Sequence, residues 1–363
     1  MSRRSTKLLK AALSALHYTG ADGLLSHFTS GNGVIFMLHS VTPVAPRDFE
    51  PNRILKITPS FLEAVIRQVR AAGFDIIAMD DVPERLKSGD ARRPFAVFTL
   101  DDGYKDNRDH AYPVFKRLGV PFTIYVATDF ADGKGDLWWL TLEEAVRRLP
   151  KLSLDMNGTV RHFKLETAGD KDAAFHVIYW WLRTLPEVRA RAITANLAND
   201  AGVDAARQCR ELVMGWDDIR VLASDPLVSI GAHTRTHYAL AKLSDDAARE
   251  EIAGSIHRVA RETGKPCRHF SYPYGCEQSA GAREFALARD AGVQTAVTTR
   301  KGLLHTAHGD DLMALPRLSL NGDFQDARYV KVLLSGLPFA FWKAARRLAR
   351  RSAHPGAEAA SAA

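Results

Sequence analysis

The strongest constraint on this chain is an order that repeats along it: a short apolar run rich in β-formers, a polar residue able to do chemistry, then a helical stretch. Val34–Leu38 (VIFML) is followed by His39, Phe95–Leu100 (FAVFTL) by Asp101 and Asp102, and Leu227–Gly231 (LVSIG) by His233 and His237. His269–Tyr272 leads into Pro273-Tyr274-Gly275, and Thr295–Val297 into Thr298-Thr299-Arg300. Phe74–Ala78 and Phe122–Ala127 complete the strand candidates. Between them, Pro59–Ala72 carries Phe61, Val65, Ile66 and Val69 at helical spacing, and His110–Leu118 and Ala280–Ala291 also read as helices. Ser244–Gly264 is a further helix, with Ser244 as its N-cap and Gly264 as its stop. Strands alternating with helices predict a parallel α/β sheet. The reactive residues share one address, just past the C-terminal ends of strands, where a parallel α/β barrel builds its active site.

Residues 133–225 break this rhythm. Leu137–Leu149, Ala173–Leu182 and Pro186–Asn199 look helical, and Leu152–Leu165 alternates around Asn157-Gly158, a strong hairpin signal. The segment reads as a mainly helical insertion that caps or extends a substrate groove. Trp138, Trp139, Trp180 and Trp181 all fall in it. They pack its core or form a wall on which sugar rings stack.

Charge narrows the partners. The 363 residues carry a net charge of +7. Residues 1–10 hold Arg3, Arg4, Lys7 and Lys10 with no acid; residues 343–363 hold Lys343, Arg346, Arg347, Arg350 and Arg351 against Glu358. Removing these two +4 segments leaves −1 for residues 11–342. A nearly neutral body suits an uncharged glycan and excludes a nucleic-acid binder with a basic surface. Cys209, Cys267 and Cys276 form no C-x-x-C pair, which gives neither a disulfide framework nor a cysteine zinc site. Reduced thiols of a cytoplasmic protein are the expectation.

The termini add a membrane expectation. Lys10 interrupts the apolar run Leu8–Leu16, so residues 1–31 read as a basic amphipathic segment rather than a signal peptide. The 323–363 tail contains Val332–Arg351, where Leu333, Leu334, Leu337, Phe339, Phe341, Trp342 and Leu348 mix with five cations. Such a stretch lies on a membrane surface or packs on the barrel. The first alternative puts the protein at the inner face of the membrane.

His233 and His237 form H-T-R-T-H. On a helix this spacing stacks both rings on one face, within reach of one ion; solvated surface histidines are the other reading. Asp102 completes two imidazoles and a carboxylate, the usual three-ligand set of a catalytic divalent metal, zinc foremost, with cobalt, nickel or manganese also accepted. A metal on Asp102 offsets repulsion between the adjacent aspartates. Asp101 is then free to take a proton from water whose pKa the metal lowers. D-D-G by itself also fits a solvated turn.

F-T-L-D-D-G-Y, G-A-H-T-R-T-H and F-S-Y-P-Y-G, in this order, resemble the three signatures of the polysaccharide deacetylases, the nodulation-protein-B-like group of carbohydrate esterase family four. The resemblance covers roughly residues 32–322. It implies a distorted (β/α) barrel with about seven parallel strands and metal-dependent removal of acetyl groups from N-acetylated sugars. Carried over by position, Asp101 is the general base and Asp102, His233 and His237 are the metal ligands. Pro273, Tyr274 and Gly275 form the groove wall, with the Tyr274 N–H as oxyanion donor.

The chain departs from the family's pattern in places. Leu100 replaces the usual Phe of the first signature. Ser271 stands where the third often has Arg, so that arginine is missing beside the base. A late L-x-H signature for the general acid is absent, which leaves three candidates. His39, in M-L-H-S-V, resembles the Y-H-x-V segment of the poly-N-acetylglucosamine deacetylase branch, where an early-strand His supplies the proton; His305 and His308 are the others. Arg317, in L-P-R-L, joins the substrate-binding set as a residue able to orient a carboxylate, with a surface salt bridge as its other reading.

The expected function is hydrolysis of N-acetyl amides on a glycan or lipid-linked glycan precursor, in exopolysaccharide or cell-envelope synthesis. Deformylation or O-deacetylation of a lipid-linked sugar would use the same groups. An inactive carbohydrate-binding relative is the reading of another class, opposed by intact Asp101, Asp102, His233 and His237.

Overall fold

The computed structural model describes residues 3–20, 29–88 and 93–342. Seven strands form its centre: β1 (Gly33–Leu38), β2 (Phe95–Leu100), β3 (Phe122–Val126), β4 (Val228–Ala232), β5 (His269–Ser271), β6 (Thr295–Lys301) and β7 (Leu315–Ser319). All pair in parallel, and β1 pairs with both β7 and β2, so the sheet closes into a barrel. Of the expected strand Phe74–Ala78 only Asp75–Ile76 pairs, beside the start of β2 and outside the ring.

The barrel is distorted, as the resemblance implies. β1 and β2 match over six residues, from Gly33↔Phe95 to Leu38↔Leu100. β4 and β5 share the single pair Phe270↔Ala232, and the register shifts between Val297 and Lys301 on β6.

Closure buries both faces of each strand, which is why they read as continuous apolar runs rather than alternating ones. Ile35, Phe95, Val97, Tyr125, Val297 and Leu315 fill the interior, with Leu304, Met79, Val82 and Leu86 in the same cluster. On the outer face, Val34, Phe36, Leu38, Ala96, Phe98 and Leu100 pack under helices. The helix Pro59–Ala71, capped by Thr58, buries Phe61, Leu62, Val65, Ile66 and Val69 there. Phe115 stacks on Phe122 with ring centres 4.3 Å apart. Ser244 and Gly264 cap the helix Asp245–Thr263 as the sequence predicts.

The insertion has its own core, built on Trp138, Trp139, Leu142, Phe175, Ile178 and Leu182. Its hairpin pairs Lys151–Asp155 with Val160–Lys164 and turns on Asn157 and Gly158, both at positive φ. Val213 bridges Tyr104, and the Met214 N–H donates to Gly103 O at 3.0 Å. Trp216, Ile219 and Leu222 of the next helix belong to the barrel's outer core. Trp138, Trp139 and Trp181 are buried, whereas Trp180 is 63% exposed.

In the C-terminal tail Val330, Val332, Leu334 and Leu337 are buried, so residues 330–337 pack on the body, whereas Phe341 and Trp342 are exposed. Residues 343–363 lie outside the described residues.

Ile35 is fully buried in the barrel interior. Ile35→Ala should cost about 2–5 kcal/mol, read as a lowered denaturant midpoint at unchanged m-value.

Candidate active site

The strand ends deliver the reactive side chains as expected, but through strained turns rather than helix starts. The Asp101 N–H donates to Leu38 O at 2.9 Å, continuing the ladder; Asp102 (φ 74°) and Gly103 (φ 70°) then swing the chain aside. The His233 N–H donates to Val126 O at 2.9 Å, and Thr234 (φ 64°) and His237 (φ 61°) follow in left-handed conformations. H-T-R-T-H is therefore a loop, not the helical i,i+4 pair the spacing suggests.

Buried Glu251 clamps that loop. One carboxylate oxygen accepts the Arg235 and Thr236 N–H groups at 2.9 Å each, and the other accepts the Thr236 hydroxyl at 2.9 Å. The loop carbonyls of Thr234 and Arg235 accept N–H bonds from Thr128 and Asp129. Five non-glycine residues among the described ones have positive φ: Asp102, Thr234, His237 and Tyr274 in this site, and Asn157 in the hairpin. A β-branched threonine in that region is strongly disfavoured. Such strain costs of order 1–3 kcal/mol per residue and persists where the surroundings over-determine the geometry.

The turns bring Asp102, His233 and His237 together. One ligand atom from each lies within 4.8 Å of the others, and all three residues are buried. Asp102 Oδ1 is 3.5 Å from His233 Nε2 and 3.3 Å from His237 Nε2, yet it has no hydrogen-bond partner. Ligands about 2.1 Å from one tetrahedral ion lie about 3.4 Å apart, so the three atoms fit a zinc-sized site. His233 Nδ1 lies 2.6 Å from Ser271 O. A carbonyl only accepts, so Nδ1 carries the proton and Nε2 presents its lone pair. Burial pushes His233 down to about 4, which keeps the ring neutral at pH 7. Burial alone would raise Asp102, but the His237 imidazole outweighs it and holds the carboxyl below its usual range.

Asp101 is held by Arg317. The guanidinium donates Nη1 to Asp101 Oδ1 at 2.8 Å and Nη2 to Oδ2 at 2.7 Å. Thr99 Oγ1, Ser271 Oγ and Thr298 O accept the other three N–H groups. Burial would raise the Asp101 carboxyl; the Arg317 charge outweighs it and keeps the group ionised well below its usual range. Arg317 is thus neither a surface salt bridge nor a cavity-lining substrate contact. It orients Asp101, supplying from β7 the arginine that Ser271 does not, while Ser271 bonds the arginine instead.

Tyr274 (φ 60°) closes the site from the turn after β5. The Gly275 N–H folds back on Pro273 O at 2.7 Å, and a Cβ on Gly275 would come within 2.5 Å of Thr299 N. Tyr274 Oη accepts from Trp138 Nε1 at 2.8 Å, and the Arg183 guanidinium lies 3.4 Å from the tyrosine ring centre. The Tyr274 N–H donates to no group among the described residues. Of the three predicted wall residues only Tyr274 lines the cavity; Pro273 and Gly275 shape the turn behind it.

His39, half-buried, lines the same cavity of about 240 Å³ with Asp101, Asp102, His233 and His237. The remaining wall is mostly apolar, with Pro51, Ile54 and Leu55 from the β1 side and Phe175, Tyr179 and Trp180 from the insertion, interrupted by Asn52, His176 and Thr299. Asn52 and Leu55 also line an adjoining, more charged groove of about 470 Å³ bordered by Arg47, Lys56, Glu143 and Arg147. His305 and His308 are not part of this site. Leu304 bridges Gly33 at the start of β1, so both histidines sit at the opposite end of the barrel.

A family model described as polysaccharide deacetylase matches residues 88–296. The chain belongs to the polysaccharide deacetylase family. This deacetylase is therefore a hydrolase of a family that cleaves the amide bonds of N-acetyl groups. No curated protein matches it. Its fold is similar to the Streptococcus pyogenes deacetylase PplD solved with acetate (14% identity, TM-score 0.51, 80% of this chain and 92% of that one). It is also similar to IcaB from Ammonifex degensii (16%, 0.50, 84% and 97%). A de-N-acetylase from Aggregatibacter actinomycetemcomitans has the same fold (13%, 0.51, 83% and 99%).

Sequence reasoning missed Glu251, which stands in no motif. Arg317 was expected to orient a carboxylate, and that carboxylate is Asp101.

Asp101→Asn should destabilise the deacetylase by about 3–5 kcal/mol at pH 7, because it strands the buried Arg317 charge. The folded pKa of Asp101 is depressed, so its contribution is present above the unfolded value of about 4 and fades as pH falls through the folded one. Denaturant titrations of wild type and variant should therefore converge below about pH 4.

Proposed function

We propose that this deacetylase removes acetyl groups from N-acetylated amino sugars of a glycan, aided by a divalent metal, zinc foremost, held by Asp102, His233 and His237. The observation that carries this reading is the convergence, on one cavity, of that ligand set with a carboxylate held ionised by a buried arginine. A metal there supplies Lewis acidity, which polarises the acyl carbonyl and acidifies water.

The chain's own groups do the rest. Asp101 takes the proton of the attacking water, and Arg317 keeps it oriented and charged before the reaction. The new C–O bond forms at the acyl carbon. The Tyr274 N–H, uncommitted within the fold, receives the developing oxyanion. His39 protonates the nitrogen as the C–N bond breaks, releasing acetate and a free amine. Trp180, Tyr179 and Phe175 offer faces for a sugar ring, and the adjoining groove gives length for further sugars of a polymer. The same reading places the enzyme in the cytoplasm, in exopolysaccharide or cell-envelope synthesis; the buried free thiols Cys209 and Cys267 support that compartment.

Acetate and formate release from a panel of N-acetylated glycans should show acetate, abolished by chelator and restored by zinc. Release unaffected by chelator would remove the metal from the reading. Formate alone would favour deformylation. Glycan binding without any release would favour a binding module. Asp101→Asn and His39→Ala should each lower kcat by about 10²–10⁴-fold at unchanged metal content. Glu251→Gln should instead weaken metal affinity by about tenfold, measured by competition with a chromophoric chelator, because the ligand loop loses its clamp.

A further inference from the structure

The N-terminal helix Arg3–Tyr18 lies on the body through one side only. Leu13 is buried there, and Lys10, Ser14, Leu16 and His17 are half-buried around it. Lys10 Nζ sits 5.6 Å from the centre of the Phe324 ring, and Tyr18 Oη accepts a hydrogen bond from Arg328. The outward face is apolar: Ala11, Ala12 and Ala15 are exposed, and Leu8 and Tyr18 are 74% and 72% exposed. A surface helix normally points its apolar stripe at the core. Leu13 and Leu16 do so here, but a second apolar strip, Leu8 with Ala11, Ala12 and Ala15, meets solvent.

Charge says what covers it. The helix contains Arg3, Arg4, Lys7, Lys10 and no acid. A second copy of the chain would bring two acid-free cationic helices face to face, and residues 343–363 are themselves basic, so both occupants are repelled. An anionic lipid surface complements the face on both counts: apolar side chains enter the headgroup boundary while Lys and Arg meet lipid phosphates. No helix among the described residues is long and apolar enough to cross a membrane, which leaves lying on it.

The helix also stands at the catalytic end. Phe324, under Lys10, belongs to the turn after β7, and Asp323 of that turn bonds Arg53 at 3.1 Å. Arg53 lies in the segment Pro51–Leu55 whose Pro51, Ile54 and Leu55 form one lip of the cavity.

We propose that the outer face of the N-terminal helix docks on an anionic membrane and holds the cavity mouth at the headgroup level. If the site acts as proposed above, this positions it for an amino sugar carried on a lipid; the docking itself stands whatever the site hydrolyses. The full chain should cosediment with phosphatidylcholine vesicles containing phosphatidylglycerol, bind pure phosphatidylcholine vesicles weakly, and lose binding as salt rises. The double variant Leu8→Asp/Ala15→Asp should lower partitioning at least about tenfold, with melting temperature and acetate release unchanged. Equal sedimentation of variant and wild type overturns the proposal, as does a wild type that ignores anionic vesicles. So does light scattering that shows a wild-type dimer made monomeric by the variant, which assigns the face to a second copy. Vesicle binding without acetate release leaves the docking standing and overturns only the catalytic reading.

Discussion

Everything at the catalytic end depends on one buried ion pair, Asp101 with Arg317. A carboxylate and a guanidinium removed from water each carry a desolvation cost of several kcal/mol, offset only when geometry and remaining hydrogen bonds are complete. Here they are: two parallel bonds join the pair, and Thr99, Ser271 and Thr298 accept the other three guanidinium protons. Those partners come from β2, β5 and β6 and the arginine from β7, so the barrel must close before Asp101 is set. Lysine, a point charge with three donors, could not replace this fork.

The metal-ligand loops show the complementary strategy. Four residues in unfavourable backbone conformations gather where the strands end, and for two of them, Thr234 and His237, Glu251 and the N–H groups of Thr128 and Asp129 fix the loop from outside. The insertion adds the third boundary. Trp138 bonds Tyr274 and Trp139 packs 5.0 Å from His237, so two of the four tryptophans serve as core and as site support together. Trp180 alone is left with an open face in the cavity wall.

Legibility followed the range of the interactions. Most local signals held: six of the seven barrel strands and the helix caps appear at their expected places because their preferences act within a few residues, but Phe74–Ala78 pairs only at Asp75–Ile76 and Leu315–Ser319, split by Pro316 and Arg317, did not read as a strand. Where a reading needed distance, it failed or stayed open. H-T-R-T-H was compatible with a helix because spacing alone does not encode the clamp from Glu251, fourteen positions beyond His237. His305, His308 and His39 were comparable as candidate acids on paper, and only β1's position in the ring puts His39 at the cavity and the other two at the far end. Of the C-terminal apolar residues, Val332, Leu334 and Leu337 pack while Phe341 and Trp342 stay exposed, a division that composition does not encode.

The sequence by itself determined the alternation of strands and helices, the reactive residues at strand ends and the family, because each is written in contiguous stretches whose physics is local. The tertiary structure alone decided which carboxylate Arg317 holds, which histidines share a cavity and which side of the N-terminal helix meets solvent. Each of these is a meeting of residues tens to hundreds of positions apart, Asp101 and Arg317 among them, and such a meeting exists only once the barrel has closed.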